Sequence, residues 1–339
     1  MLIDMPSAPA ETASAQTSHA PTRHTERSIP PSAPRRDTPV SRPLVGILLL
    51  VAGMWVLSAL DSTGKWLMAA GIPLIVLTWT RYAMHTIICV AVMVPVKGTR
   101  VLHSRFPRMQ LIRGLFVACA TLMFFTTLTY LPLAEATAIN FLAPLMTLTV
   151  APFLLKEKTR LARWIAAGIA FCGVLLIIRP GGGLHPLGTL LGLSTACLMC
   201  GQHVCTRKIA GDDPFTSLIW SGAFGTLLLT PILIWQWTEA YATLQSLTVL
   251  QWVILASTGL TGSIGHLLQI MGYRNAPAST LAPFIYLQIV SATAFGWLVW
   301  GHFPDGLTWV GILVICVSGV GIALHEWHFS RRQRVLPAV

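Results

Sequence analysis

The chain has 339 residues, of which 54% are hydrophobic and only 10% charged, where a soluble domain would carry roughly a quarter charged residues. Its net charge of +11 is spread over short basic clusters between apolar runs, which reports membrane orientation and argues against nucleic acid as a partner. Composition therefore excludes a soluble globular domain and predicts an all-α integral membrane protein.

Residues 1–42 are rich in Pro, Ser, Thr and Ala, carry Arg23, Arg27, Arg35, Arg36 and Arg42, and hold little that is large and apolar. They are expected to form a disordered cytoplasmic tail. The first apolar run, Leu44 to Leu60, is too long for the core of a signal peptide and no small-residue cleavage motif follows it, so it reads as a membrane helix. Hydropathy gives ten spans, each near the roughly 20 residues that a bilayer requires: 44–63, 73–96, 111–131, 134–155, 161–179, 187–207, 215–237, 248–271, 278–300 and 307–326. A basic tail, 327–339, ends the chain. The loops are short, so function must lie inside the bundle.

Placing the amino terminus in the cytoplasm puts 20 of the 23 Lys and Arg on that side; only Lys65, Arg81 and Arg179 lie elsewhere. Both termini are therefore expected in the cytoplasm of a bacterial inner membrane. Pro132, Phe141 and Trp164 stand 145 residues before Pro277, Tyr286 and Trp309, so the middle of the chain repeats. Each copy is the tail of a five-helix unit, and because five is odd, the second unit enters the membrane from the opposite side. The expected domains are two inverted five-helix repeats, 43–180 and 185–326, with Tyr286 and Gln288 opposite Phe141 and Ala143 across a pseudo-twofold axis.

The seven cysteines lie inside apolar segments and form no loop pairs, which argues against a disulfide framework. Cys197, Cys200, His203 and Cys205 have superficially metal-like spacing, but one straight helix cannot wrap a tetrahedral ion. No metal and no cofactor is expected.

The stretch Leu131-Pro-Leu-Ala-Glu-Ala-Thr-Ala-Ile-Asn-Phe-Leu-Ala-Pro144, followed by Lys156-Glu157-Lys158, resembles the fourth helix of EamA-type transporters of the drug/metabolite transporter superfamily. Ala282-Pro283-Phe284-Ile285-Tyr286 resembles their ninth helix, and Asp61 to Lys65 with Arg81-Tyr82 is similar to their first two. Where the family usually has Gly-Glu after the ninth helix, this chain has Gly301-His302. The resemblance spans residues 44–326 and implies ten helices, a central cavity lined by helices 1, 3, 4, 6, 8 and 9, peripheral helices 5 and 10, and movement of small organic metabolites without ATP hydrolysis.

Ionisable groups at membrane depth are costly, so each is a functional candidate. Asp61 and Lys65 are four apart on one helix face, in the favourable order for an ion pair. Arg81 lies about 12 Å inside the second helix at 1.5 Å per residue, and Glu135 opens the fourth. These four form either a structural cluster sealing the outer side or a proton and charge relay through Asp61, Lys65 and Glu135, with Arg81 on a substrate carboxylate or phosphate. Nearer the midplane and the inner side, Trp55, Asn140, His203, His266, Gln269, Tyr286 and Gln288 can orient a ligand or bond between helices. The substrate-binding set read from sequence is Trp55, Arg81, Asn140, His266, Gln269, Tyr286 and Gln288. Gly259, Gly262 and Gly265 offer a close helix approach, and Pro144 and Pro283 offer kinks.

No P-loop, nucleophile elbow or His-Glu-x-x-His motif is present, so no catalytic residue is assigned. The expected function is a secondary transporter moving a small organic metabolite, such as an amino acid, vitamin, S-adenosylmethionine-like or drug-like solute, by one half rocking against the other in alternating access. A lipid-linked carrier flippase on the same scaffold is the alternative, and a membrane-embedded enzyme or sensor the third reading. The partners expected are a small-molecule substrate and membrane lipid, with a homodimer left open.

Overall fold

A computed structural model describes residues 43–155, 161–179, 183–209, 211–276 and 281–335. The expected tail 1–42, the Lys156-Glu157-Lys158 motif, Pro277 and residues 336–339 lie outside the described residues. Among the described residues every regular element is a helix: α1 (Pro43–Ala69), α2 (Leu74–Lys97), α3 (Pro107–Tyr130), α4 (Leu133–Asn140), α5 (Leu142–Leu155), α6 (Leu161–Ile178), α7 (Pro186–Lys208), α8 (Pro214–Trp235), α9 (Trp237–Ser246), α10 (Val249–Asn275), α11 (Gln288–Trp300) and α12 (Gly306–Val335). Short 3₁₀ turns, Thr99–Leu102 and Ala282–Leu287, precede α3 and α11.

Six of these helices, α1, α2, α3, α7, α8 and α10, are long and apolar enough to cross a membrane, and shorter apolar stretches occupy Trp164–Ile178, Phe284–Trp300 and Gly306–Ile322. Their outward faces carry exposed Leu48, Ile87, Leu175, Leu227, Val253 and Leu313, a surface that water would reject and that lipid accepts. The protein is a multi-pass membrane protein.

Local chemistry sets the helix ends. Asp213 accepts the Phe215 N–H and Pro214 opens α8 behind it, a cap whose oxygen satisfies a donor the helix leaves free. Thr248 and Gln251 cap each other's backbone at the start of α10. Gly301, at φ 67°, ends α11 in the left-handed conformation. α12 continues as helix to Val335, into the segment expected as a basic tail; no Gly or Pro interrupts it between Gly321 and that point. The short helix α9, which hydropathy leaves in a loop, stacks Trp237 on Tyr241 at 5.9 Å, aromatic side chains suited to a bilayer interface.

Glycines fix how closely the helices approach. α1 runs against α10 along Gly46, Gly53, Gly265 and Gly272; a Cβ on Gly53 would lie 2.9 Å from the Gly265 carbonyl oxygen, and one on Gly272 would lie 3.0 Å from that of Gly46. The backbones thus touch, as small residues permit in membranes. α3 pairs similarly with α7, α2 with both α8 and α10, α3 with α8, and α6 with α12; α1 also meets α11, and α7 meets α4 and α5.

Candidate functional site

The expected fourth span is not one helix. Pro144 has no N–H to offer the Asn140 carbonyl four residues back, and α4 stops at Asn140. The Phe141 N–H instead tightens onto the carbonyls of Thr137 and Ala138, at 3.1 and 3.2 Å. The break therefore sits three residues before the proline. In the second half the 3₁₀ turn Ala282–Leu287 takes the matching place and α11 begins only at Gln288. The two interruptions face each other: the rings of Phe141 and Tyr286 lie 5.2 Å apart at 35°, and Gly319 of α12 leaves the space in which the Tyr286 ring rests.

Between these breaks lies a cavity of about 740 Å³, within the range of small-molecule sites. Regular stripes build its walls: Leu50, Met54, Leu57 and Asp61 on α1, Thr195, Met199, His203 and Arg207 on α7, and His266, Gln269 and Tyr273 on α10. Each stripe repeats at three or four residues, one face of a helix. α3 adds Ala120, Thr121 and Phe124, α2 adds Arg81, and the broken helices add Thr137, Asn140, Thr147, Tyr286 and Gln288. The helices implied by the resemblance all contribute; so do Arg81 of the second span and Gly319 and Ile322 of the last, while none of the described cavity residues comes from α6.

The sequence-selected residues separate into two groups. Arg81, Asn140, His266, Gln269, Tyr286, Gln288, Asp61 and His203 line the cavity. Asn140 keeps its buried side-chain oxygen without a hydrogen-bond partner, and such an atom is costly unless water or ligand meets it. His203 Nδ1 lies 3.2 Å from Thr147 Oγ1; His266 bonds Gln269 and meets His85 edge-on at 6.1 Å.

Trp55, Lys65 and Glu135 stand elsewhere. Trp55 is 42% exposed and packs edge-on against Phe295 at 6.1 Å. Lys65 does not pair with Asp61: its ammonium donates to the Leu131 carbonyl at 2.7 Å and sits 5.3 Å from the Trp300 ring centroid. Buried Glu135 lies within electrostatic reach of Lys65 and His302. With the buried side chains of Leu67, Leu128, Leu131 and Leu133, Lys65 and Glu135 close one end of the bundle. The four charges expected together thus divide, Asp61 and Arg81 on the cavity and Lys65 and Glu135 in the seal beyond it.

The cavity reaches toward the opposite end, where Arg207 and Tyr273 stand. There Asp213 pairs with Lys97 and, at 3.9 Å, with Arg274, and both cations lie over Phe215, at 4.3 and 4.8 Å. Burial alone would raise the Asp213 carboxyl, but the Lys97 bond, the Phe215 N–H and Arg274 outweigh it and hold it below the usual carboxylate range. Asp212 is held low in the same way against its burial, by Ser104, the Arg105 N–H and Gln110. Arg113, buried between α3, α7 and α8, donates to Thr206 at 2.8 Å, to the Ser217 carbonyl at 3.1 Å and to Ser221. At the sealed end the Arg179 bond holds Asp305 far below its ordinary value and joins α6 to the start of α12.

Sequence reading missed Thr121, Phe124, Thr147, Met199 and Tyr273 on the cavity wall. The signal was present on α7, where Thr195, Met199, His203 and Arg207 recur every fourth residue. Cys200 and Cys205 are buried and Cys197 exposed, and among the described residues no group of three His, Cys, Asp or Glu side chains is placed to hold a metal.

A riboflavin transporter of Brucella anthropi is 26% identical over 286 residues, covering 83% of this chain and 99% of its own. A pseudopaline exporter of Pseudomonas aeruginosa is 24% identical over 280 residues, covering 82% and 95%. A solved structure, described only as the crystal structure of a protein, superposes with a TM-score of 0.57 at 20% identity over 84% of this chain and 97% of its own, a likeness of fold alone. The EamA-like transporter family matches residues 44–179 and again 186–324, and the chain belongs to that family.

Proposed function

We propose that the chain is an inner-membrane secondary transporter of ten spans in two inverted repeats, 43–180 and 185–326, with both termini in the cytoplasm, and that a small organic solute crosses through the cavity between the broken helices. One observation carries the reading: a cavity of about 740 Å³ lies among the apolar helices, and both halves supply its wall, Asp61, Arg81 and Asn140 from one and His203, His266 and Gln288 from the other. Interrupted helices in matching positions of two repeats are where transporters of this construction bind their solutes.

The helix pairing supports the inverted repeat. Exchanging the halves turns the α1–α10 contact into α7–α3 and the α2–α10 contact into α8–α3, and all four occur. The self-paired contacts, α2–α8 and α6–α12, also occur. The 20 basic residues assigned to one side support the orientation. On that orientation the cavity reaches the cytoplasmic end while Lys65, Leu131 and Glu135 close the outer one, an inward-facing arrangement. The relatives named for riboflavin and pseudopaline support a metabolite as cargo.

Reconstitution of the full chain into liposomes tests the proposal. Vesicles loaded with riboflavin or with an amino-acid mixture should exchange one of these solutes faster than empty controls. Gln288→Ala and Tyr286→Ala should each slow that exchange by about tenfold, the equivalent of 1.4 kcal/mol, while leaving expression and monodispersity intact. Absence of flux for both solute classes and for a wider metabolite extract would overturn it.

A further inference from the structure

Asp61 and Arg81 face the cavity, whereas Lys65 and buried Glu135 lie in the seal beyond it and Arg113 is buried among α3, α7 and α8. Three hydroxyl and carbonyl oxygens accept from Arg113, and one carbonyl accepts from Lys65. Asp61 and Arg81 both line the cavity, yet among the described residues neither makes a hydrogen bond or an ion pair within 4.0 Å. They are near enough for their charges to interact, so each is left with capacity that the protein does not use. A guanidinium carries five N–H donors and a carboxylate about four acceptor positions. Leaving both idle at this depth is costly unless water or a ligand meets them.

The surroundings hold the pair in this state. The Arg81 guanidinium lies over two aromatic faces, 5.9 Å from the Tyr82 centroid and 5.6 Å from that of Phe125. Those rings steady its plane and offer no acceptor in it. Tyr82 is itself fixed, its hydroxyl 2.7 Å from Thr121 Oγ1 and 3.2 Å from the Val117 carbonyl. Across the gap stands Gly262, where even an added Cβ would lie 3.8 Å from Arg81 Nε, so α10 leaves the head group room. Asp61 is the only carboxylate on the cavity wall among the described residues.

We infer that Asp61 and Arg81 form a two-charge clamp for a zwitterion, with the ammonium of an α-amino-acid-like solute on Asp61 and its carboxylate bidentate on Arg81. The inference rests on the reading of the cavity as the transport site. A planar fork suits a carboxylate better than any other side chain does. Selectivity also follows from the wrong ligands: a simple anion would meet Asp61 unpaired and a simple cation would meet Arg81, so each carries a repulsive contact that the zwitterion lacks. The remaining wall, with Phe124, Phe141 and Tyr286 beside the amides of Asn140 and Gln288, suits a side chain that is aromatic or able to hydrogen-bond.

Thermal-shift titration of the purified full chain against the twenty proteinogenic amino acids, followed by flux in liposomes, tests the clamp. For any amino acid that binds, its decarboxylated amine and its deaminated acid are measured beside it on the wild-type protein; for phenylalanine these are 2-phenylethylamine and 3-phenylpropionate. The expected result is binding of at least one amino acid, with both truncated analogues about tenfold or more weaker, the loss that goes with one charge-assisted bond. Arg81→Gln and Asp61→Asn should each weaken it similarly, and Arg81→Lys should recover part. Equal binding of amino acid and truncated analogue overturns the clamp on the wild-type protein alone, whatever the variants do. So does exchange of riboflavin with none of the twenty amino acids bound, or an Asp61→Asn protein whose affinity is intact and whose flux has changed only in its pH dependence, the mark of a proton carrier. Those outcomes leave the transport reading standing; only the absence of all flux removes both.

Discussion

The Lys65 ammonium donates to the Leu131 carbonyl oxygen at 2.7 Å, tying the end of α1 to the turn between α3 and α4. Leu131 has left the helix, with ψ at 150°, so its carbonyl is free to accept. Lys65→Met keeps the stem and removes the bond. The seal should weaken by the worth of one hydrogen bond to a charged group, about 1.5–3 kcal/mol. With a reporter cysteine at Thr137 on the cavity wall, a membrane-impermeant thiol reagent added outside should label the variant about tenfold faster; unchanged labelling would show that the leucines close this end without help.

On the proposed inverted repeat, Lys208 is the counterpart of Lys65. Pro43 and Pro186 each open a helix, and each helix carries a lysine 22 residues later. Lys208 is exposed, and among the described residues it makes no hydrogen bond or ion pair, in keeping with the proposed inward-facing arrangement. Lys208→Met should leave labelling in the resting protein unchanged and slow the exchange cycle several-fold. A variant that cycles at the wild-type rate would end this assignment.

The Asp213 network should respond to acid. Because the Asp213 pKa is depressed in the folded protein below its usual value near 3.8, its contribution to stability is complete above that pH and is lost as pH falls through the depressed value. Asp213→Asn preserves the helix cap and removes the charge. Its melting temperature should therefore fall below wild type at pH 7, and the gap should narrow below about pH 4. A gap independent of pH would mean that the ion pairs contribute nothing.

Phe141 and Tyr286 touch across the two halves, so their energies should couple. A double-mutant cycle with Phe141→Ala and Tyr286→Ala, read by thermal unfolding, should return about 0.5–1.5 kcal/mol of interaction. Additive effects would make the contact incidental.

The α1–α10 seam leaves no volume for larger side chains. Gly53→Leu should destabilise the protein by roughly 1–3 kcal/mol, visible as a lower melting temperature and poorer monodispersity. Gly262→Ala, on the facing helix α10, where the nearest atoms are 3.6 and 3.8 Å from the added Cβ, should be tolerated and serves as the control.

Where their residues are described, the apolar segments expected from hydropathy fall largely on helix, six of them in helices long and apolar enough to cross a membrane, because chain length against bilayer thickness is a strong constraint. The turn at Phe141 was less legible: Pro144 marked a disturbance, but the unsatisfied carbonyl lies four residues earlier and the helix yields there. The site was half legible. Sequence gives depth along a helix, which is how Asp61, Arg81 and Gln288 stood out, and it gives little about which way a residue points. In a soluble helix polarity marks the outer face; here lipid and core are equally apolar, so exposed Ile87 and buried Ile75 on α2 look alike. Lys65 and Asp61 share a helix face on paper, yet one turn separates a residue on the cavity from one in its seal.

The glycine seam also decides what can move. α1 belongs to the first family match and α10 to the second, yet their backbones approach closely along Gly46, Gly53, Gly265 and Gly272, with Leu50, Leu57, Gln269 and Ala276 packed into the same seam. Sliding or parting these helices would open voids that nothing nearby can fill, so they travel together. α3 and α7, one from each match, are also packed tightly, there by the Phe116 ring filling the place a side chain on Gly201 would take. The units expected to stay together during transport are therefore hybrid pairs, with the hinge away from the boundary between the two family matches. What the gene copied once is not what swings.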